Sequence, residues 1–328
     1  MNIFKGFQKG VNLGGWLSQC PLTKERFDSF LTKDDLAAIA SAGYDHVRVP
    51  VDYRALGFDG ETLSGLSAEY LDRCADWCAE YELNLLIDLH NTRGYDFGKP
   101  ETALTFFKNA TDMAYFIALW EAMARKYGAN KRIAFELLNE MVLREAAEPW
   151  NDLAERTAAA IRRIAPQTPI VIGGVRYNHV TSVKLLRKPA VENIVFNFHC
   201  YEPFYFTHQG ADWTDIPADF SIGYPDEFEK QKFYLPGDLQ RMLEESGATE
   251  FNADFFSLLF RDAVRYAEEC GAALYCGEYG VIEHGDRESA ARWFHDIHAA
   301  FEKNGIGRAA WTYRGMSFGL EERGLLEC

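Results

Sequence analysis

The chain has 328 residues, 48% hydrophobic and 25% charged, a balance that excludes a disordered chain and allows a large core. A net charge of −15 with no Lys/Arg run excludes a nucleic-acid partner and argues against a polyanionic one. No apolar run reaches the ~18 residues of a membrane span, so no membrane partner is expected. MNIFKGFQKGVNLGG lacks the apolar centre of a signal peptide, which predicts a cytoplasmic protein, or a secreted one whose leader is absent. The seven cysteines (Cys20, Cys74, Cys78, Cys200, Cys270, Cys276 and Cys328) are odd in number and irregularly spaced. Free, mostly buried thiols are therefore expected, which fits a reducing compartment.

In chain order, the first strand candidate is GVNLGGW (10–16). A helix over 33–42 follows, with Leu36, Ile39 and Ala40 on its apolar face, Thr32 and Asp35 as an N-cap pair and Gly43 as its stop. HVRVPV (46–51) reads as the second strand, and a helix over 67–82 aligns Leu71, Cys74, Ala75 and Cys78. LNLLIDLH (83–90), a helix over 112–128, IAFELLNE (133–140), a helix over 150–165 and PIVIGG (169–174) continue the alternation. After a short helix near 178–187 come NIVFNFH (193–199), helical patterns over 237–248 and 252–270, ALYCGEYG (273–280), a helix over 286–304 and AAWTYR (309–314). The strand candidates are short, apolar and rich in β-branched or aromatic residues, as buried parallel strands are. Eight strand–helix repeats predict a closed (β/α)8 barrel in one domain spanning 1–328. The competing doubly wound open sheet would want a GxGxxG turn after the first strand, and GVNLGGW does not supply it.

One connection is unusually long. About fifty residues, 200–252, separate the sixth strand from its helix, where two to six are usual. The segment carries Tyr201, Phe204, Tyr205, Phe206, Trp213, Phe220, Tyr224, Phe228, Phe233 and Tyr234. So apolar an insertion must bury part of itself, and it is expected to form a small subdomain overhanging the barrel mouth.

Barrel enzymes place their chemistry at the C-terminal ends of the strands. Here the strands carry or end in Trp16, Arg48, His90 and Asn91, Asn139 and Glu140, His199 and Tyr201, Glu278, and Trp311. Buried polar groups of this kind are costly unless paired or working, and the topology makes them converge. Glu140 and Glu278 come from opposite sides of the mouth. Two such carboxyl groups suit glycosidic cleavage, one protonating the leaving oxygen and the other attacking the anomeric carbon or activating water. Arg48 would keep one of them ionised while the other titrates higher. Glu136, four residues before Glu140, lies deeper on the same face and reads as structural.

GVNLGGW, HVRVPVDY, IDLHN, FELLNE, NFHCYEPFYFTHQ, YCGEYG and WTYR, in this order, resemble glycoside hydrolase family 5, the cellulase-type barrel family. FTHQ and the long insertion are similar to the single-domain clostridial endoglucanases within it. The resemblance implies a retaining endo-β-1,4-glucanase acting on cellulose-type or mixed-linkage β-glucan. Glu140 would be its acid/base, Glu278 its nucleophile, and no cofactor would be needed. It also implies Arg48 beside the nucleophile, Tyr201 bonded to it, Asn139 on the sugar 2-hydroxyl, His90 and His199 lining the catalytic subsite and Trp311 beneath that sugar. Asn91 stands where many relatives have a second histidine and is a further candidate for substrate contact. β-Mannanase, xyloglucanase or exo-β-glucosidase activity remains open within the family.

Trp16, Tyr95, Trp150, Phe206 and Trp213 are candidate sugar platforms, each equally well explained by packing. Two readings from other classes compete. A metal hydrolase could draw on Asp88, His90, His199 and His208, but the first strand lacks the HxH pair such barrels use, so no metal is expected. A catalytically silent carbohydrate-binding barrel would not need both glutamates. A monomer is expected.

Overall fold

The computed structural model describes residues 1–187, 190–225 and 235–327. Eight parallel strands close into a barrel in chain order: β1 (Lys9–Asn12), β2 (His46–Asp52), β3 (Asn84–Asn91), β4 (Ile133–Glu136), β5 (Ile170–Gly173), β6 (Ile194–Cys200), β7 (Ala273–Tyr279) and β8 (Gly307–Ala310). The helices are α1 (Lys24–Phe30), α2 (Lys33–Ser41), α3 (Leu66–Glu80), α4 (Thr102–Phe106), α5 (Ala110–Tyr127), α6 (Ala147–Ile164), α7 (Phe204–Thr207), α8 (Gly237–Ser246), α9 (Ala253–Cys270) and α10 (Arg287–Asn304). Local signals set several boundaries. The Thr32 N–H of α2 donates to Asp35 Oδ2 at 2.7 Å, closing a capping box. Asn252 caps α9 through the N–H groups of Asp254 and Phe255.

Three strands stop several residues before their expected ends. β1 stops at Asn12, β4 at Glu136 and β8 at Ala310, so Trp16, Glu140 and Trp311 sit on loops just above the barrel. The connection after β5 is a 3₁₀ turn, Val180–Leu185. α1, α4 and α7 carry no clear periodic pattern and are additional to the expected elements.

Side chains alternate along each strand. Val47, Val49 and Val51 of β2 and Leu85, Ile87 and Leu89 of β3 face the helices and join the main core. The inward set becomes more polar going up. At the floor Leu86, Ala134, Val171, Val195, Ala273, Tyr275 and Ala309 form a separate apolar cluster with Phe4 and Phe7. Above it come Arg48, Asp88, Glu136 and Asn197, all fully buried, then His90, His199 and Glu278.

The described part of the 200–252 segment packs on the outer wall and the rim. Phe206 and Tyr224 pack together at 5.5 Å, and Tyr224 Oη donates to Asp296 of α10 at 2.9 Å. Leu239 and Leu243 bury one face of α8 in the main core. Trp213 reaches the barrel mouth, where it lines the cleft. Phe228, Phe233 and Tyr234 lie outside the described residues, as does Cys328. The other six cysteines are free thiols.

Candidate active site

Arg48 is the hub of the site. Its Nε and Nη2 hold Glu136 at 2.7 and 2.9 Å, and Nη1 holds Glu278 Oε1 at 2.8 Å. The remaining N–H groups reach Asn12 Oδ1 at 2.8 Å and Asn139 Oδ1 at 3.0 Å, with Asp88 Oδ2 also 3.0 Å from Nη2. All five guanidinium donors are used, a pattern lysine cannot reproduce. One cation thus serves three buried carboxyls. Burial pushes Asp88 and Glu136 up to about 7, with Arg48 opposing the shift.

Glu278 and Glu140 lie above this layer. The β6–β7 ladder slips by one residue, so Phe198 pairs with Cys276 and His199 with Glu278. Gly277 is the extra residue. Its N–H donates to Asn197 Oδ1 and its carbonyl accepts from Asn12 Nδ2, at 2.8 and 2.9 Å. A methyl group here would sit 2.8 Å from the Asn197 amide. Bulges beside active sites re-aim side chains, and this one turns Glu278 into the mouth. Tyr201 Oη donates to Glu278 Oε2 at 3.1 Å.

Glu140 adopts a φ of +21°, a strained conformation for a residue with a side chain. Its Oε1 lies 2.7 Å from His199 Nδ1. Oxygens of Glu140 and Glu278 and the His199 nitrogen lie within 4.8 Å of one another. Burial, then the charge of Glu278, pushes Glu140 well above the ordinary carboxylate range. Burial also raises Glu278, but Arg48 draws it back. Of the two, Glu140 is set up to hold a proton and Glu278 to stay ionised. Burial and the charge of Arg48 keep His199 neutral.

The cleft encloses about 440 Å³, walled by Gln19, His90, Phe97, Asn139, Tyr201, His208, Trp213, Trp311, Met316, Ser317 and Phe318 around the two glutamates. His90 lies parallel to Trp311, ring planes 3° apart. Its Nδ1 is 2.7 Å from Asp88 Oδ2 and its Nε2 is 3.1 Å from Gln19. Burial lowers His90 to about 4, so the ring is neutral. The expected set Arg48, His90, Asn139, Glu140, His199, Tyr201, Glu278, Trp311 and Trp213 is therefore brought together.

Other expectations are corrected. Trp16 is fully buried, donates Nε1–H to the Phe27 carbonyl at 2.9 Å and packs between Tyr70 and Trp77, leaving no face for a sugar. Trp150 likewise donates to the Gly173 carbonyl within the core. Phe206 is enclosed by the insertion. Tyr95 is buried beneath the Glu140 loop and bonds its backbone. Asn91 follows inward-facing His90 and so points the other way, bonding Asp52 Oδ2 and the Tyr53 N–H at 2.9 and 3.2 Å. His90, His199, His208 and Asp88 form no common ligand set among the described residues; Glu140, His199 and Glu278 are the side chains that could hold a cation.

Several cleft residues were not singled out from sequence. Gln19, Met316 and Ser317 all adopt left-handed backbone conformations on one wall. Arg176, Tyr177 and Asn178 do so consecutively after β5. Tyr177 is 48% exposed and close enough to Glu140 to feel its charge. Non-glycine residues in this conformation leave no local sequence signal.

A (β/α)8 barrel with a close carboxyl pair at its C-terminal mouth belongs to the class of retaining glycoside hydrolases. The cellulase model of glycosyl hydrolase family 5 matches residues 8–317, and the chain belongs to that family. It is 39% identical over 307 residues to Cellodextrinase A of Ruminococcus flavefaciens, covering 93% of this chain and 84% of the relative. To Endoglucanase C of Acetivibrio thermocellus it is 37% identical over 321 residues, covering 95% and 92%. Endoglucanase Cel5A of Thermotoga maritima superposes with a TM-score of 0.74 at 23% identity, over 98% of this chain and 96% of that one, a likeness of fold.

Proposed function

We propose that the chain is an endo-β-1,4-glucanase that cleaves cellulose-type or mixed-linkage β-glucan by double displacement. The carrying observation is the Glu140–Glu278 pair, in which one oxygen of each lies within 4.8 Å of the other. Retaining pairs stand about 5–5.5 Å apart and inverting pairs about 6.5–9.5 Å, the wider gap admitting a water. Glu278 attacks the anomeric carbon while Glu140 delivers its proton to the departing glycosidic oxygen. Glu140, now a carboxylate, takes a proton from water, whose oxygen displaces Glu278 and restores both groups. Arg48 and Tyr201 hold Glu278, Asn139 meets the 2-hydroxyl, His90 and His199 line the subsite and Trp311 carries the sugar face. Nucleophile, acid and base all come from the chain, which works as a monomer.

The substrate class rests on the two relatives named for cellodextrin and glucan cleavage. Internal attack is supported by exposed Trp213 on the cleft wall and half-exposed Tyr177 near Glu140. On carboxymethylcellulose and lichenan, viscosity should fall well ahead of reducing-end release. Release of only glucose or cellobiose at unchanged viscosity would overturn the endo reading. Proton NMR of the first products should show the β-anomer; the α-anomer would overturn retention.

A further inference from the structure

We propose that Tyr95 is a positioning residue for proton transfer by Glu140, acting through the main chain of the acid/base loop rather than by touching sugar. This rests on the reading of Glu140 as the acid.

The loop is held from two sides. On one, the N–H groups of Arg176 and Tyr177 donate to the carbonyls of Val142 and Met141 at 3.1 and 3.2 Å. On the other, the Tyr95 hydroxyl donates to the Glu140 carbonyl and accepts the Val142 N–H at 3.1 Å. A single oxygen thus bridges two peptide groups flanking a residue whose φ is +21°. The β5 side holds Met141 and Val142; the Glu140 carbonyl is held by Tyr95.

Tyr95 is itself rigid. Its ring is buried and packs against Phe106. Its own N–H and carbonyl both pair with Thr92, at 3.0 and 3.1 Å, closing a tight turn. Arg93 within that turn is tied to Asp112 of α5 at 2.6 Å. Burial keeps the phenol protonated throughout the working range. Tyr95 is therefore a fixed post joining α5 and the β3 loop to the backbone of Glu140. The Glu140 side chain has one further anchor, His199. Without the post, the carboxyl is free to drift from the glycosidic oxygen, and proton transfer loses about a hundredfold per ångström of misplacement.

The test is Tyr95→Phe, which removes only the hydroxyl, compared with Glu140→Gln on two substrates. In the first step cellotetraose has a poor leaving group that needs the proton, and dinitrophenyl cellobioside does not. Tyr95→Phe should lower kcat/KM on cellotetraose about 10- to 100-fold with KM within about twofold, and change kcat/KM on dinitrophenyl cellobioside, which reports the first step alone, less than about threefold. The alkaline limb of its kcat profile should move to lower pH, because a carboxyl that swings toward water loses the burial that raises it. Equal loss of kcat/KM on both substrates, or full activity on cellotetraose, would overturn the inference. If Glu140→Gln lowers kcat/KM on both substrates alike, the acid assignment fails instead, whatever Tyr95→Phe does. Site-specific 4-fluorophenylalanine at 95 fills the hydroxyl's place without a donor and covers a failure of the phenylalanine variant to fold. A shifted alkaline limb supports the role, and an unchanged one overturns it.

Discussion

His199 faces Glu278 across the β6–β7 ladder because Gly277 is bulged out of register between them. The proposed nucleophile therefore depends on a residue with no side chain. In Gly277→Ala the new methyl meets the Asn197 amide at 2.8 Å. Asn197 also holds Glu136 at 2.8 Å, so the disturbance reaches Arg48. We expect kcat to fall about 100-fold for a displacement near 1 Å. The melting temperature should fall by about 2 °C at most, the equivalent of about 1 kcal/mol in a chain of this size. Steady-state kinetics beside calorimetry checks this; a variant with native kcat would contradict the bulge's role.

Arg48 neutralises a layer that has no other described cation. Replacing it with Met leaves Asp88, Glu136 and Glu278 buried without a cation, at a cost of about 3–5 kcal/mol. Arg48→Lys restores charge but not the fork, and should recover only part of the stability. Urea denaturation of the three proteins at pH 7 measures this. A loss under about 1 kcal/mol for Met, the range of surface pairs, would show that the layer is not held by charge.

Asp88 should make the stability depend on pH in a recognisable direction. Its carboxyl titrates near 7 in the folded chain and near 4 when unfolded. Across that window the folded state binds more protons, so this group's contribution falls as pH rises. His90, lowered to about 4, acts in the opposite direction below pH 6.5. Only a difference between two proteins isolates Asp88. Asp88→Asn, permanently neutral, should gain on the native chain by on the order of 1–3 kcal/mol between pH 5 and pH 8. A difference that stays flat with pH would mean that Arg48 keeps Asp88 ionised.

Tyr177 and Trp213 should matter in proportion to substrate length. Each is about half exposed and near the carboxyl pair. Stacking a sugar on such a ring contributes about 1 kcal/mol, so each alanine variant should raise KM for cellohexaose about fivefold. Cellotriose should distinguish them, since only a platform within its reach affects its KM. Unchanged KM for every length would remove both from the binding surface.

The barrel was legible in the sequence because buried parallel strands are short, apolar and evenly interrupted. Where they stop was not, since GVNLGGW and IAFELLNE stay apolar past the last ladder bond. Arg48, Glu140 and Glu278 could be read because polar groups at strand ends have few structural uses. Aromatic type carries no such information: Trp16, Tyr95 and Phe206 look like Trp213 until their surroundings are seen. Asn91 was avoidable, because strand alternation already turns it away once His90 faces inward. Gln19 and Tyr177 were beyond reach, since their placement depends on backbone angles that non-glycine residues do not advertise.

The apolar floor has a consequence for traffic. Phe4 and Phe7 stack at 4.2 Å beneath Tyr275, whose hydroxyl is tied to His46 at 2.8 Å, and together they stopper the lower end of the barrel. No glucan can be drawn through like thread through a bead. A chain has to lie across the rim, and its two halves leave by the same doorway that admits the water for the second step.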